Sequence, residues 1–137
     1  MSYLIDTNVI CEVVRQKPND HVLKWFNDIS DDLIYVSVLT IGEIRKGIEK
    51  LDQSKRKKNL VNWLESELPT WFQNRMLPVD KQVADRWGFL QAQMKKPLPA
   101  IDSLIAATAL QHDFSLVTRN TRDFDYPLVR VINPWNS

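Results

Sequence analysis

Four acidic side chains fall where apolar segments of this 137-residue chain give way to helices or loops. Asp6 follows the run Tyr3-Leu4-Ile5. Glu43 lies in the segment after Leu33-Ile34-Tyr35-Val36-Ser37. Asp102 opens an alanine-rich stretch, and Asp123 sits in the loop after Phe114-Ser115-Leu116-Val117-Thr118. If these apolar runs are strands of one parallel sheet, all four acids can converge at its carboxyl edge, where open α/β sheets bind their ligands. A carboxylate cluster with no lysine or histidine beside it in sequence needs cations to be stable. Oxygen-only ligands select hard ions, Mg²⁺ or Mn²⁺. Two such ions about 4 Å apart clamp both sides of a phosphodiester displacement, activating a water and stabilising the leaving oxygen.

The same positions have plainer readings. Asp is a favoured helix N-cap, so Asp6 could simply start a helix, as could Thr7 or Asn8. Glu43 stands three residues after Thr40, the spacing of a capping box. Asp102 lies in a first helical turn, where negative charge is stabilising. Glu43 cannot both close a capping box and bind a metal, so its two readings exclude each other.

The elements that must position these acids follow from periodicity. Short apolar or β-branched runs predict strands at Tyr3–Ile5, Leu33–Ser37, Arg75–Val79, Phe114–Thr118 and Leu128–Ile132. Pro78 confines the third to an edge or a strand end. Helical spacing predicts a first helix ending near Arg15, then helices capped by Asn19, Thr40, Ser54 and Asp80, and a last one from Ala100 to Leu110. Pro69 is expected to end the helix begun at Ser54, whose opening Lys55-Arg56-Lys57-Lys58 reads as a solvated face that a polyanion could use. Trp25, Trp63 and Trp87 fall on apolar helix faces. Trp71 and Phe72 follow Pro69 and are expected at a protein interface. Strands alternating with helices across short links predict a parallel α/β sheet covered on both faces. The expected organisation is one domain over residues 1–132 with a loose tail at 133–137.

Composition narrows the function. A net charge of +1 excludes a globally basic nucleic-acid binder, but not a local basic groove. Arg15, Arg45, Lys46, Arg119 and Arg122 lie near the expected carboxyl edge and are candidate phosphate contacts. Three glycines leave no Gly-rich phosphate loop. The single cysteine, Cys11, reads as a small buried hydrophobe and permits no intrachain disulfide. With His21 and His112 the only histidines, neither a serine triad nor a zinc site can be assembled. A haloacid-dehalogenase-like phosphatase needs a second acid two residues after the first, where Asn8 stands. No signal-peptide pattern and no apolar run near 18 residues point to a soluble cytoplasmic protein without a membrane partner.

Taken together, Leu4-Ile5-Asp6-Thr7-Asn8, the segment Ser37…Thr40…Glu43…Gly47, Asp102 with its alanine-rich helix, and Leu116-Val117-Thr118-Arg119-Asn120 followed by Asp123-Phe124 are similar to the motifs of PIN-domain ribonucleases. The chain resembles the VapC-type toxins of bacterial toxin–antitoxin pairs in particular. The motifs come in that family's order and cover nearly the whole chain. The resemblance implies a PIN-like α/β/α sandwich around a central parallel sheet of four to five short strands. It also implies Mg²⁺- or Mn²⁺-dependent endoribonuclease activity on an RNA substrate, a homodimer, and neutralisation by a cognate antitoxin. It assigns Asp6, Glu43 and Asp102 as metal-binding acids. The family places an Asp or Asn where Asn120 stands and often an acid where Asp123 stands, so with Asn120 here Asp123 is the expected fourth charge. Asn8 and Thr118 match the polar positions that support the acids. The alternative from a different class is a catalytically silent PIN domain that only binds RNA or protein.

Overall fold

The computed structural model of the chain describes residues 1–136. Five short strands, β1 (Tyr3–Ile5), β2 (Ile34–Ser37), β3 (Met76–Leu77), β4 (Ser115–Val117) and β5 (Val131–Ile132), form one sheet in the order β3-β2-β1-β4-β5. Every pairing is parallel. Because side chains alternate along a strand, Leu4 and Leu116 pack on one face of the sheet, and Ile5 and Val117 on the other. The helices α1 (Thr7–Glu12), α2 (Asp20–Asp28), α3 (Val38–Glu49), α4 (Lys55–Asn62) and α5 (Leu68–Phe72) accompany the Ile5 face. The opposite face is covered by α6 (Lys81–Gln93) and α7 (Ala100–His112), which pack along each other. The small residues Ala106, Ala107 and Ala109 of α7 are buried, which lets that helix approach the sheet closely.

Several local expectations are corrected. The first helix ends at Glu12, and 13–17 are turns. Its N-cap is Asp6 itself, not Thr7 or Asn8. β5 is shorter than Leu128–Ile132, since Leu128 takes a left-handed φ of 68° and lies outside the ladder. Pro69 does not end its helix. The segment Trp63–Glu67 widens into a π turn, with the Leu68 N–H donating to the Trp63 carbonyl. A widened turn accommodates a proline, which has no N–H to give, and the chain continues as α5. Phe72 is thereby carried into the core, fully buried, instead of to an interface, and Trp71 is half-buried against Phe26. Residues 134–136 are not loose. They form a 3-10 turn that packs on α2, with Pro134 buried and Trp135 against the core. Ser137, the end of the expected tail, lies outside the described residues.

The basic start of α4 is not uniformly solvated either. Lys57 is buried, and its Nζ donates to the carbonyls of Leu51 at 3.1 Å and Glu49 at 3.5 Å. It thus satisfies acceptors that the end of α3 leaves open. Lys57→Met keeps the aliphatic stem but loses both bonds. The variant is expected to be less stable by about 1 kcal/mol in urea unfolding; an unchanged midpoint would show that those carbonyls do not need the ammonium.

Candidate active site

The carboxyl ends of β1 and β4 lie side by side, with Ile5 paired to Val117. That register places Asp6 next to Thr118. Asp6 is buried at 5% exposure. Its Oδ1 accepts from the Thr7 N–H at 2.8 Å, and its Oδ2 accepts from the Thr118 hydroxyl at 2.8 Å and from Asn8 Nδ2 at 3.3 Å. Capping and site geometry therefore coincide in one residue. Asn8 also donates to Thr118 Oγ1, and its Oδ1 accepts from the Arg119 N–H at 3.1 Å. Thr118 Oγ1 further accepts from the Asn120 N–H at 3.1 Å. A short network thus ties the loop after β4 to the start of α1 and aims the Asp6 carboxylate.

Glu43 makes no capping box. Ser37 caps α3, accepting from the Leu39 N–H, so Thr40 lies inside the helix. The Glu43 carboxylate instead reaches across to α1, where Oε1 accepts from the Thr7 hydroxyl at 2.6 Å. Thr7 and the buried Thr40, 3.3 Å apart through their hydroxyls, are positioning residues for which the sequence suggested only capping roles. Their signal was available: Thr7 adjoins Asp6, and Thr40 shares a helix face with Glu43 at three residues' spacing.

Asp102 stands in the first turn of α7, half-buried, and Asp123 is exposed in the 3-10 turn Thr121–Phe124. Neither carboxylate accepts a hydrogen bond among the described residues, whereas hydrogen bonds hold those of Asp6 and Glu43. The four acids nonetheless feel one another. Burial, then the charges of Asp6, Asp123 and Glu43, push Asp102 up to about 6. Asp6 is also raised, chiefly by burial and further by Glu43 and Asp123, against the lowering effect of its bonds from Thr118 and Thr7. The Tyr126 hydroxyl, another neighbour missed in the sequence, is raised by burial and by Asp102 and Asp123. Burial, then the charges of Glu43 and Asp6, push the Cys11 thiol up to about 11, so it stays protonated at neutral pH and is no nucleophile.

No lysine or arginine side chain pairs with any of the four acids among the described residues. Nor do any three His, Cys, Asp or Glu side chains there close to the geometry of an ion cage. By donor chemistry the site fits a hard divalent cation: it is all-oxygen and anionic, and its acids have no cationic partner among the described residues. Of the basic candidates, Arg119 and Arg122 wall the same hollow as Asn120 and Asp123. Arg119 also stacks its guanidinium 5.1 Å from the Trp135 ring. Lys46 lines a groove with Glu43. Arg45 turns away and is held by Glu65 at 2.9 Å and Glu49 at 3.2 Å, so it is not a free phosphate contact. Arg15 pairs with Glu12 at 3.1 Å.

Fold and site together define a parallel α/β protein with an acidic site at the carboxyl edge of its central strands. The chain belongs to the PIN-domain family: the PIN-domain model matches residues 3–127. It is 38% identical over 136 residues to toxin FitB of Neisseria gonorrhoeae, covering 97% of this chain and 98% of that one. It is 35% identical to VapC ribonuclease Y4jK of Sinorhizobium fredii, covering 96% of each. The crystal structure of FitAcB from Neisseria gonorrhoeae matches with a TM-score of 0.91 at 37% identity, over 98% of this chain and 99% of that one.

Proposed function

We propose that this protein is the toxin of a toxin–antitoxin pair and acts as a metal-dependent endoribonuclease that hydrolyses RNA phosphodiester bonds. The observation that carries the reading is the convergence of four carboxylates, of which Asp6 and Asp102 are raised by burial and by the neighbouring acids, with no cation paired to any of them among the described residues. Relatives named as a toxin and as a ribonuclease support it.

Asp6, Glu43, Asp102 and Asp123 are the residues to hold Mg²⁺ or Mn²⁺, which when bound supplies charge neutralisation and Lewis acidity for attack of water on the phosphodiester. Thr118 and Asn8 keep the Asp6 carboxylate facing the site, and Thr7 does the same for Glu43. Arg119 and Arg122, beside Asp123, hold RNA phosphates. Cleavage of RNA by the purified protein with added Mn²⁺, and none with EDTA, tests the reading.

The Arg119→Ala, Arg122→Ala double variant is expected to flatten the salt dependence of single-stranded RNA binding, by a slope of about 0.7 for each phosphate contact removed. An unaltered slope would clear both of that role.

The antitoxin is proposed to dock in the groove between α1, α3 and α4. This trough of about 370 Å³ is walled by Cys11, Val14, Ile44, Ile48, Leu60 and Trp63 and ends at Thr7 and Glu43. Its form suits an amphipathic segment that lays apolar side chains along the trough and extends an Arg or Lys to the acids. That cation competes with metal, so saturating antitoxin should weaken Mn²⁺ binding in calorimetry. Unchanged metal affinity in the complex would mean that inhibition works by another route.

A further inference from the structure

The far end of the same trough is cationic. Arg15 and Arg56, which wall the apolar groove, also wall a neighbouring cavity of about 460 Å³ together with Gln16 and Lys17. We infer that this cavity is a second phosphate-binding subsite for single-stranded RNA, remote from the acids, with Lys17 and Arg56 as its unneutralised cations. The inference rests on the nuclease reading above and extends it to the path of the substrate strand.

Charge accounting selects those two residues. The Arg15 guanidinium is offset by Glu12, which is 4% exposed and also accepts from the Asn19 N–H at 2.8 Å. Glu12 thereby ties down both ends of the loop that carries Lys17. Lys17 and Arg56 themselves have no ion pair among the described residues. Arg56 also stands in the first turn of α4 beside Lys55, where positive charge opposes the helix dipole. An uncompensated cluster at that position is a local cost to folding that a bound polyanion would offset, and the planar Arg fork suits phosphate oxygens.

Placement supports a strand rather than an isolated anion. Arg119 and Arg122 follow β4 on one side of β1, while α3 follows β2 on the other and packs against α4. The two cationic hollows therefore flank the acids. From Thr7 to Glu12 the helix advances about 7.5 Å, and the five residues on to Lys17 span at most about 18 Å more, so an RNA strand crossing the acids reaches that cavity within several nucleotides of the scissile bond.

The test is fluorescence anisotropy of a labelled oligouridylate, in EDTA to prevent cleavage, over a range of NaCl concentrations. The Lys17→Ala, Arg56→Ala double variant should lower the slope of log affinity against log salt by about 1.4, two contacts' worth on a single strand. The Lys17→Arg, Arg56→Lys swap should keep the wild-type slope. Both side chains are exposed, so the melting temperature serves as a check that each variant is folded. An unchanged slope in the alanine variant overturns the subsite. So does an unchanged slope accompanied by loss of antitoxin binding, which assigns the cavity to acidic side chains of a protein. If wild-type protein cleaves RNA with Mn²⁺ but the slopes agree, the subsite alone fails. If wild-type protein neither binds nor cleaves, the nuclease reading fails with it.

Discussion

Asp6→Asn is expected to lower Mg²⁺- or Mn²⁺-dependent RNA cleavage at least a hundredfold, equivalent to about 2.7 kcal/mol of transition-state stabilisation, and to relieve growth inhibition by the expressed protein. Asp6 is the most buried of the four acids, and its Oδ2 is aimed by Thr118 and Asn8. Asparagine keeps the shape and one oxygen but removes the charge. Its Oδ1 can still accept from the Thr7 N–H, so the cap that starts α1 survives. Because burial and the neighbouring acids already raise the Asp6 pKa, losing the charge should not unfold the apo protein. Activity and stability therefore separate in this variant. Full cleavage by a cleanly folded Asp6→Asn protein would remove the residue from the chemistry.

Asp102→Asn should stabilise the metal-free protein and shrink its response to metal. Burial and the other three acids raise Asp102 from an ordinary 3.8 to about 6. For an acid raised on folding, the folded state binds more protons than the unfolded one between those two values. The stability linked to that proton is fully present below about 3.8 and is lost as pH rises through about 6. Asparagine does not titrate, so the variant should lack this loss. The carboxyl is only half-buried, and solvent screening reduces the effect to on the order of 1 kcal/mol in favour of the variant at neutral pH. With Mn²⁺ at about a hundred times its dissociation constant, linkage stabilises the wild type by about 2.7 kcal/mol; the variant should show a clearly smaller increment. If Asp102 only favours the start of α7, asparagine would be neutral or destabilising by a few tenths of a kcal/mol, with an unchanged metal increment. Melting temperatures of both proteins in EDTA and in Mn²⁺ distinguish the two.

The sheet was legible because each strand is a short apolar run that ends in a polar or acidic residue, and because Pro78 marks the edge strand. The helix caps at Asn19, Ser54 and Asp80 were legible for the same local reason: a short polar side chain precedes an apolar period. What could not be read depended on contacts distant in sequence. The Thr40–Glu43 spacing mimics a capping box, but Ser37 had already capped α3, so Glu43 was free to accept from Thr7 on another helix. Pro69 is an ordinary stop signal, and only the π turn before it lets the helix carry Phe72 into the core. Trp135, in a polar tail, gives no periodic signal and is held by packing against α2 and by the Arg119 stack. Among the acids, Asp6 was placed by its strand alone. The proximity of Asp102 and Asp123 to it required the β1–β4 pairing, which joins residues more than a hundred positions apart.

The most direct measurement is Mn²⁺ binding to the purified metal-free protein at neutral pH, followed by calorimetry or electron paramagnetic resonance, with Asp6→Asn in parallel and RNA cleavage recorded on the same samples. Saturable binding by the wild type, cleavage that rises with occupancy, and loss of both in Asp6→Asn is the expected result. RNA cleavage that continues undiminished in EDTA, or equal Mn²⁺ binding by the two proteins, would contradict a nuclease built on these four carboxylates.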